Sequence, residues 1–252
     1  MPKLKLIKMM SNTHDSVFRQ LDQFGRETWG KPYTLITRLY SPTKDISALE
    51  FFNVIKPKLD MLRGLGQPAL QVWNEPNHFD NVEGNWTPIE FAIWAGEVAQ
   101  LIRSYWRESC LIFAPMAEPD FHHHGTLYLE AARDIIDQWY NAVGVHCYWQ
   151  NWLWGHRNET DPQFGERYKS VAAMFPDMDI HILEAGNSNY QNGHPMDYDK
   201  ILGEYRSWLD TARHYSQVRS ASFYIYSTPD LAWEPFAFNA LGGERVLTEV
   251  YK

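Results

Sequence analysis

The chain has 252 residues, 44% of them hydrophobic, enough to bury a full core in one large α/β domain. A formal net charge of −8 and the lack of any basic stripe exclude a polyanionic partner such as nucleic acid and suit a neutral substrate. No apolar run is long enough to cross a bilayer, and Met1-Pro2-Lys3-Leu4-Lys5-Leu6-Ile7-Lys8 lacks the uninterrupted apolar stretch of a signal peptide. The expectation is therefore a chain with no membrane partner, cytoplasmic by default and secreted if trimmed from a longer precursor. No segment is rich enough in Pro, Gly and Ser to serve as a linker, so residues 1–252 read as a single domain. Cys110 and Cys147 fall in or beside predicted strands and read as buried thiols.

Leu4 to Met10 reads as a first strand, followed by a Ser11-Asn12-Thr13 turn and a helix through Phe18, Leu21 and Phe24 that stops near Gly25. Thr34 to Tyr40 is the second strand. Ser47-Ala48-Leu49-Glu50 is a capping box, opening a helix that carries Phe51, Phe52, Ile55, Leu59 and Leu62 to a stop at Gly64 and Gly66. Leu70-Gln71-Val72-Trp73-Asn74-Glu75 reads as a buried strand that stops on a carboxylate, because Pro76 has no N–H for a ladder. Thr87-Pro88-Ile89-Glu90 is a second capping box, and its helix runs to about Trp106. Cys110 to Met116 is a strand leading to Ala117-Glu118, and Thr126 to Tyr140 an amphipathic helix.

Ala142 to Tyr148 is the next strand, with Trp149, Trp152 and Trp154 in the loop beyond it. A helix starts at Asp161-Pro162 and runs through Tyr168 and Val171. Asp179 to Leu183 is a strand that stops on Glu184, Tyr198 to Tyr215 a helix, and Ser220 to Tyr226 a last strand. Strict strand–helix alternation predicts a parallel sheet, and polar groups at several strand ends favour a closed barrel over an open sheet. Seven strands are legible. The eighth is expected in the linking residues, in Arg245 to Tyr251 or before residue 1, which would leave the barrel's first strand missing or irregular in this chain.

Two of these strands end on a glutamate, Glu75 and Glu184. In a barrel of about eight strands, positions three strands apart lie nearly across from one another, so the two carboxyl groups are expected to face one cavity. A retaining glycoside hydrolase uses such a pair, typically about 5–5.5 Å apart, one protonating the leaving oxygen and the other attacking the anomeric carbon. Aromatic neighbours would favour the protonated form of Glu75, and Asn74 beside it could hydrogen-bond a sugar hydroxyl. Glu184 needs a positive or hydrogen-bonding neighbour, for which Arg38, His146 and Tyr148 are the candidates.

Trp73-Asn74-Glu75-Pro76-Asn77, the second glutamate three strands on and His146-Cys147-Tyr148 between them resemble the clan A retaining glycoside hydrolases, most closely those of family 39. The resemblance implies a (β/α)8 TIM barrel in which the first strand read here takes the place of the second. It also implies Glu75 as general acid/base on the fourth strand and Glu184 as nucleophile on the seventh. Asn74 would contact the sugar 2-hydroxyl, His146 and Tyr148 would line the floor on the sixth strand, and Trp233 would stack on a sugar after the last.

Other groups read less sharply. His122-His123-His124 cannot easily turn three consecutive rings onto one ion, so no metal is expected. Glu118 reads as a rim residue or substrate hydrogen-bonder. Of Trp149, Trp152 and Trp154, at least one is expected to offer a stacking face to a sugar ring. Arg38 either pins the nucleophile or pairs with a neighbouring carboxylate. Together the residues predict a retaining β-glycosidase acting on an oligo- or polysaccharide without a cofactor. The alternative is a non-catalytic glycan-binding barrel within a larger assembly.

Overall fold

Short apolar runs set between capped helices become parallel strands in the computed structural model, which describes residues 6–29, 34–43, 45–78, 84–117, 125–149, 165–187 and 198–223. The chain divides into two units, Lys5–Gly144 and the remainder. In the first, β1 (Leu6–Met10), β2 (Thr34–Leu39), β3 (Ala69–Val72), β4 (Cys110–Phe113) and the start of β5 (Ala142–Trp149) pair in parallel, each with the next. The register sets Met10 beside Arg38, Arg38 beside Gln71 and Gln71 beside Ile112. Every residue of β3 is buried, as expected of a strand covered on both faces.

The helices between them are α1 (Asp15–Phe24), α2 (Ala48–Leu65), α3 (Pro88–Tyr105), α4 (Gly125–Ala131) and α5 (Arg133–Trp139). Both capping boxes form. Ser47 and Glu50 satisfy each other's backbone N–H at the start of α2, and Thr87 and Glu90 do so at α3, with Pro88 at the first turn. The five apolar residues foreseen on α2 are all buried, and Gly66 ends that helix in the left-handed conformation at φ 69°. Past Phe24 the chain continues as one π-helical turn, Gly25–Trp29, instead of stopping. The single helix expected over 126–140 is interrupted at Ala132, although Ala132 N–H to Tyr128 O and Ile136 N–H to Ala132 O carry its hydrogen bonds across.

In the second unit α6 (Arg167–Met174), β6 (Asp179–Asn187), α7 (Tyr198–Ala212) and β7 (Val218–Phe223) follow the end of β5. β6 and β7 are parallel with two irregularities. Ile182 pairs with Ala221 but Ala185 with Phe223, so Leu183 and Glu184 together oppose Ser222 in a β-bulge. β6 therefore runs through Glu184 to Asn187 and does not stop on the glutamate, because a bulge lets a strand bend without ending. Among the described residues the sheet has seven strands in the order β1-β2-β3-β4-β5-β6-β7, alternating with helices, and the fold is of the (β/α)-barrel class. The Arg245–Tyr251 candidate for an eighth strand and the Asp161-Pro162 helix start lie outside the described residues.

His181 on β6 lies beside Ser220 on β7, with Nδ1 2.6 Å from the hydroxyl, and only 8% of it is exposed. Burial disfavours the imidazolium and pushes its pKa down to about 4, against the smaller opposing effect of Asp179. Unfolded, the ring takes up its proton near pH 6.5, so between pH 6.5 and 4 the unfolded chain binds more protons and stability falls with pH. The contribution is on the order of 3 kcal/mol, lost as the pH drops through that window. Melting temperature measured from pH 7 to 4.5 should fall more steeply for the native protein than for His181→Gln. Equal slopes would show that His181 is not the group responsible.

Candidate active site

The segment after β3 owes its shape to a conflict between a strand that has ended and side chains that must point in different directions. Trp73 at φ 70° and Glu75 at φ 44° both adopt left-handed backbone that non-glycine residues rarely take. Trp73 is turned fully into the core, with its ring 5.4 Å from Phe51 of α2, 4.8 Å from Trp94 of α3 and 6.1 Å from Trp86. These rings form the hydrophobic backing of the turn.

Gln71, wholly buried on β3, holds the start of the turn by donating from Nε2 to Trp73 O at 2.8 Å and to Asn74 Oδ1 at 2.9 Å. Glu75 is fixed through its backbone, its N–H donating to Pro115 O and its C=O accepting from His78 N–H, both at 3.0 Å. Its side chain remains partly exposed. Asn77 replaces the lost ladder. Its Oδ1 accepts from Ala117 N–H at 2.7 Å and its Nδ2 donates to Ala117 O at 3.3 Å, joining the turn to the segment after β4. The strand therefore ends at Val72, and Glu75 stands three residues beyond it on a strained turn, where the sequence reading had it at the strand end.

In the second unit the Tyr148 hydroxyl donates to Glu184 Oε2 at 2.7 Å, and His146 Nε2 lies 3.5 Å from Oε1. Both partners come from β5, two residues apart and so on one face of the strand, their rings edge to face at 6.1 Å. Glu184 is 8% exposed and His146 fully buried. Two of the three neighbours foreseen for this carboxylate are thus in place. The third, Arg38, is half-buried on β2 in the first unit.

Trp149 is the last residue of β5 and is not in a loop. It is wholly buried, its ring stacked on Trp208 at 5.5 Å and 23° and its Nε1 donating to buried Glu204 at 2.7 Å. Because strand residues alternate, Tyr148 and Trp149 face opposite ways, and the Trp149 ring is packed against α7. Glu118, the 122–124 histidines, Trp152, Trp154 and Trp233 lie outside the described residues. Gln71, Gly165, Glu204 and Trp208 were not singled out from sequence, and Asn77 appeared there only as the end of a motif. The clue for Gln71 was a polar residue inside a four-residue apolar strand.

No protein-family profile and no curated protein sequence matches the chain. Solved structures do match. A subgroup II family 128 glycoside hydrolase, an endo-β-1,3-glucanase from Sorangium cellulosum, is similar with a TM-score of 0.60 at 10% identity, over 84% of this chain and 76% of that one. A subgroup V exo-β-1,3-glucanase of the same family from Cryptococcus neoformans gives 0.56 at 14%, over 91% and 87%. A family 51 α-L-arabinofuranosidase from Bifidobacterium longum gives 0.53 at 15%, over 81% and 49%. At such identities the likeness is one of fold. The broad resemblance to barrel glycoside hydrolases reappears in these neighbours, whereas the finer resemblance to family 39 does not.

Asn77→Ala leaves the backbone N–H and C=O of Ala117 without these partners, so we expect a loss of about 1–3 kcal/mol of stability. Denaturant unfolding at pH 7 measures it. An unchanged midpoint would mean that Asn77 does not hold the turn.

Proposed function

We propose that the chain is a retaining glycoside hydrolase acting on β-glucan, with Glu184 as nucleophile and Glu75 as general acid/base. The observation that supports this most is the Glu184 carboxylate, placed on a β-bulge and gripped at Oε2 by the Tyr148 hydroxyl beside a buried His146. A fixed, hydrogen-bonded carboxylate of low exposure suits attack on an anomeric carbon, since no reorganisation is needed at the moment of reaction. Glu75, half-open on a strained turn, suits an acid that must reach both a leaving group and a water.

In the first step Glu184 bonds to the anomeric carbon as the glycosidic C–O bond breaks, and Glu75 gives its proton to the departing oxygen. In the second, Glu75 takes a proton from water, whose oxygen displaces Glu184 and restores the original configuration. The Tyr148 hydrogen bond keeps Glu184 oriented through both. With Asn74 Oδ1 taken by Gln71, the Asn74 amide would offer its N–H2 to a substrate hydroxyl. Arg38, Glu118 and Trp233 are further proposed contacts. The β-1,3 linkage is suggested by the names of the family 128 structures, and the chemistry requires no cofactor.

Reducing-sugar release from β-1,3-, β-1,4- and mixed-linkage glucans by the native protein, Glu75→Gln and Glu184→Gln is the test, each variant checked for folding. We expect release from β-1,3-glucan, a loss on the order of 10²–10⁴-fold in Glu75→Gln and background rates in Glu184→Gln. The anomeric proton of the first product, followed by NMR, should show retention. An inverted product, or an active Glu184→Gln, would falsify the double displacement. Tyr148→Phe should lower kcat by about ten- to a hundredfold by removing a hydrogen bond to a charged group, which steady-state kinetics will measure.

A further inference from the structure

Behind Tyr148 lies a set of contacts that the proposed chemistry does not use. Gly165, just before α6, donates its N–H to Tyr148 O at 2.9 Å, and its own C=O accepts from the Trp208 indole N–H at 2.6 Å. One glycine residue thereby links α7 to the backbone of Tyr148. The Trp208 ring also stacks on Trp149, whose indole N–H is held by Glu204 one helical turn away on the same helix. Tyr205 completes the packing, 5.3 Å from Trp149 and 4.5 Å from Phe223 of β7.

We infer that Trp208, acting through Gly165 and Trp149, is a positioning residue that aims the Tyr148 hydroxyl at Glu184. The inference rests on the reading of Glu184 as nucleophile. Tyr148 and Trp149 are neighbours on β5 with side chains on opposite faces, so fixing the Trp149 ring and the Tyr148 carbonyl fixes the direction in which the phenol leaves the strand. The phenol oxygen is a long lever. A tilt of about 10° at the Tyr148 backbone displaces it by roughly 1 Å, a misplacement of the size that can cost about a hundredfold in rate.

Gly165 shows how closely the clamp is fitted. Its φ of +71° lies in the left-handed region, and a Cβ there would sit 3.4 Å from Trp149 Cβ and Cε3. An added methyl group would touch the ring that the clamp holds and would strain the backbone at this positive φ. Trp208 is fully buried, so a purely structural role would show as lost stability alone, whereas a positioning role must reach Tyr148.

The experiment compares the native protein with Trp208→Phe, which keeps an aromatic ring but removes the N–H to Gly165, with Tyr148→Phe, and with the double variant. The Tyr148 Cζ resonance in ¹³C-tyrosine-labelled protein, assigned by its absence from Tyr148→Phe, should shift or broaden in Trp208→Phe. On β-1,3-glucan, Trp208→Phe should lower kcat by about tenfold with KM changed less than about twofold. The double variant should be no slower than Tyr148→Phe alone, because both substitutions disable the same hydrogen bond. If Trp208→Phe does not fold, Gly165→Ala takes its place, with the same shift expected. An unmoved Tyr148 resonance in a folded variant, or rate losses that multiply in the double variant, would overturn the clamp. A moved resonance with an unaltered kcat in Tyr148→Phe would leave the clamp standing and overturn the catalytic reading instead.

Discussion

A parallel strand that ends short of its proposed catalytic residue leaves backbone groups with no ladder partner, and the turn after β3 is built around that constraint. Val72 is the last residue with regular pairing, yet Glu75 lies three positions on. The intervening peptide groups cannot be buried unsatisfied. Gln71 takes the Trp73 C=O, Pro115 O and His78 N–H take the N–H and C=O of Glu75, and the Asn77 side chain ties the turn to the backbone of Ala117. Trp73 supplies the apolar anchor that makes its left-handed backbone tolerable, since burial of an indole among three other rings outweighs a strain of about 1–3 kcal/mol. The motif Trp73-Asn74-Glu75-Pro76-Asn77 is thus mostly a device for holding a bent backbone.

The second unit presents its carboxylate by a different route. Glu184 stays inside a strand, and the ladder itself is altered, with two residues of β6 set against one of β7. Here orientation comes from side chains on the neighbouring strand, Tyr148 and His146, and these are steadied in turn by the tryptophans of β5 and α7. One glutamate is held by main-chain hydrogen bonds and the other by side-chain ones. That difference suits the roles proposed for them, an acid that must serve two partners in sequence and a nucleophile that serves one.

Much of the fold could be read in the sequence because its signals are local. Capping boxes at Ser47 and Thr87, the glycine stop at Gly66 and short apolar runs each depend on a few adjacent residues, and the elements they mark formed where those signals put them. What misled the reading was set by distant partners. Whether β3 ends at Val72 or Glu75 depends on Pro115 and Ala117, and whether β6 ends at Leu183 depends on how β7 pairs with it. Trp149 looked like a loop aromatic because nothing near it in sequence reveals Trp208 or Glu204 on α7. The neighbours of Glu184 were legible as candidates, since His146 and Tyr148 share one face of β5 by simple alternation, but which oxygen each meets is set by the placing of β6 beside β5.

The bulge on β6 makes the direction of Glu184 depend on how many residues separate the fixed pairs as well as on which residues they are. Between Ile182 and Ala185 there are two positions, and between Ala221 and Phe223 only one. Substitutions at those positions keep the count and so keep the carboxylate on its side of the sheet. Removal of Leu183 would restore an even ladder with Ala185 still opposite Phe223, and Glu184, then alone against Ser222, would take its face from that one pairing. The address of the proposed nucleophile is in this sense written in chain length. A graft of this strand onto another barrel would have to carry the matching stretch of β7 with it.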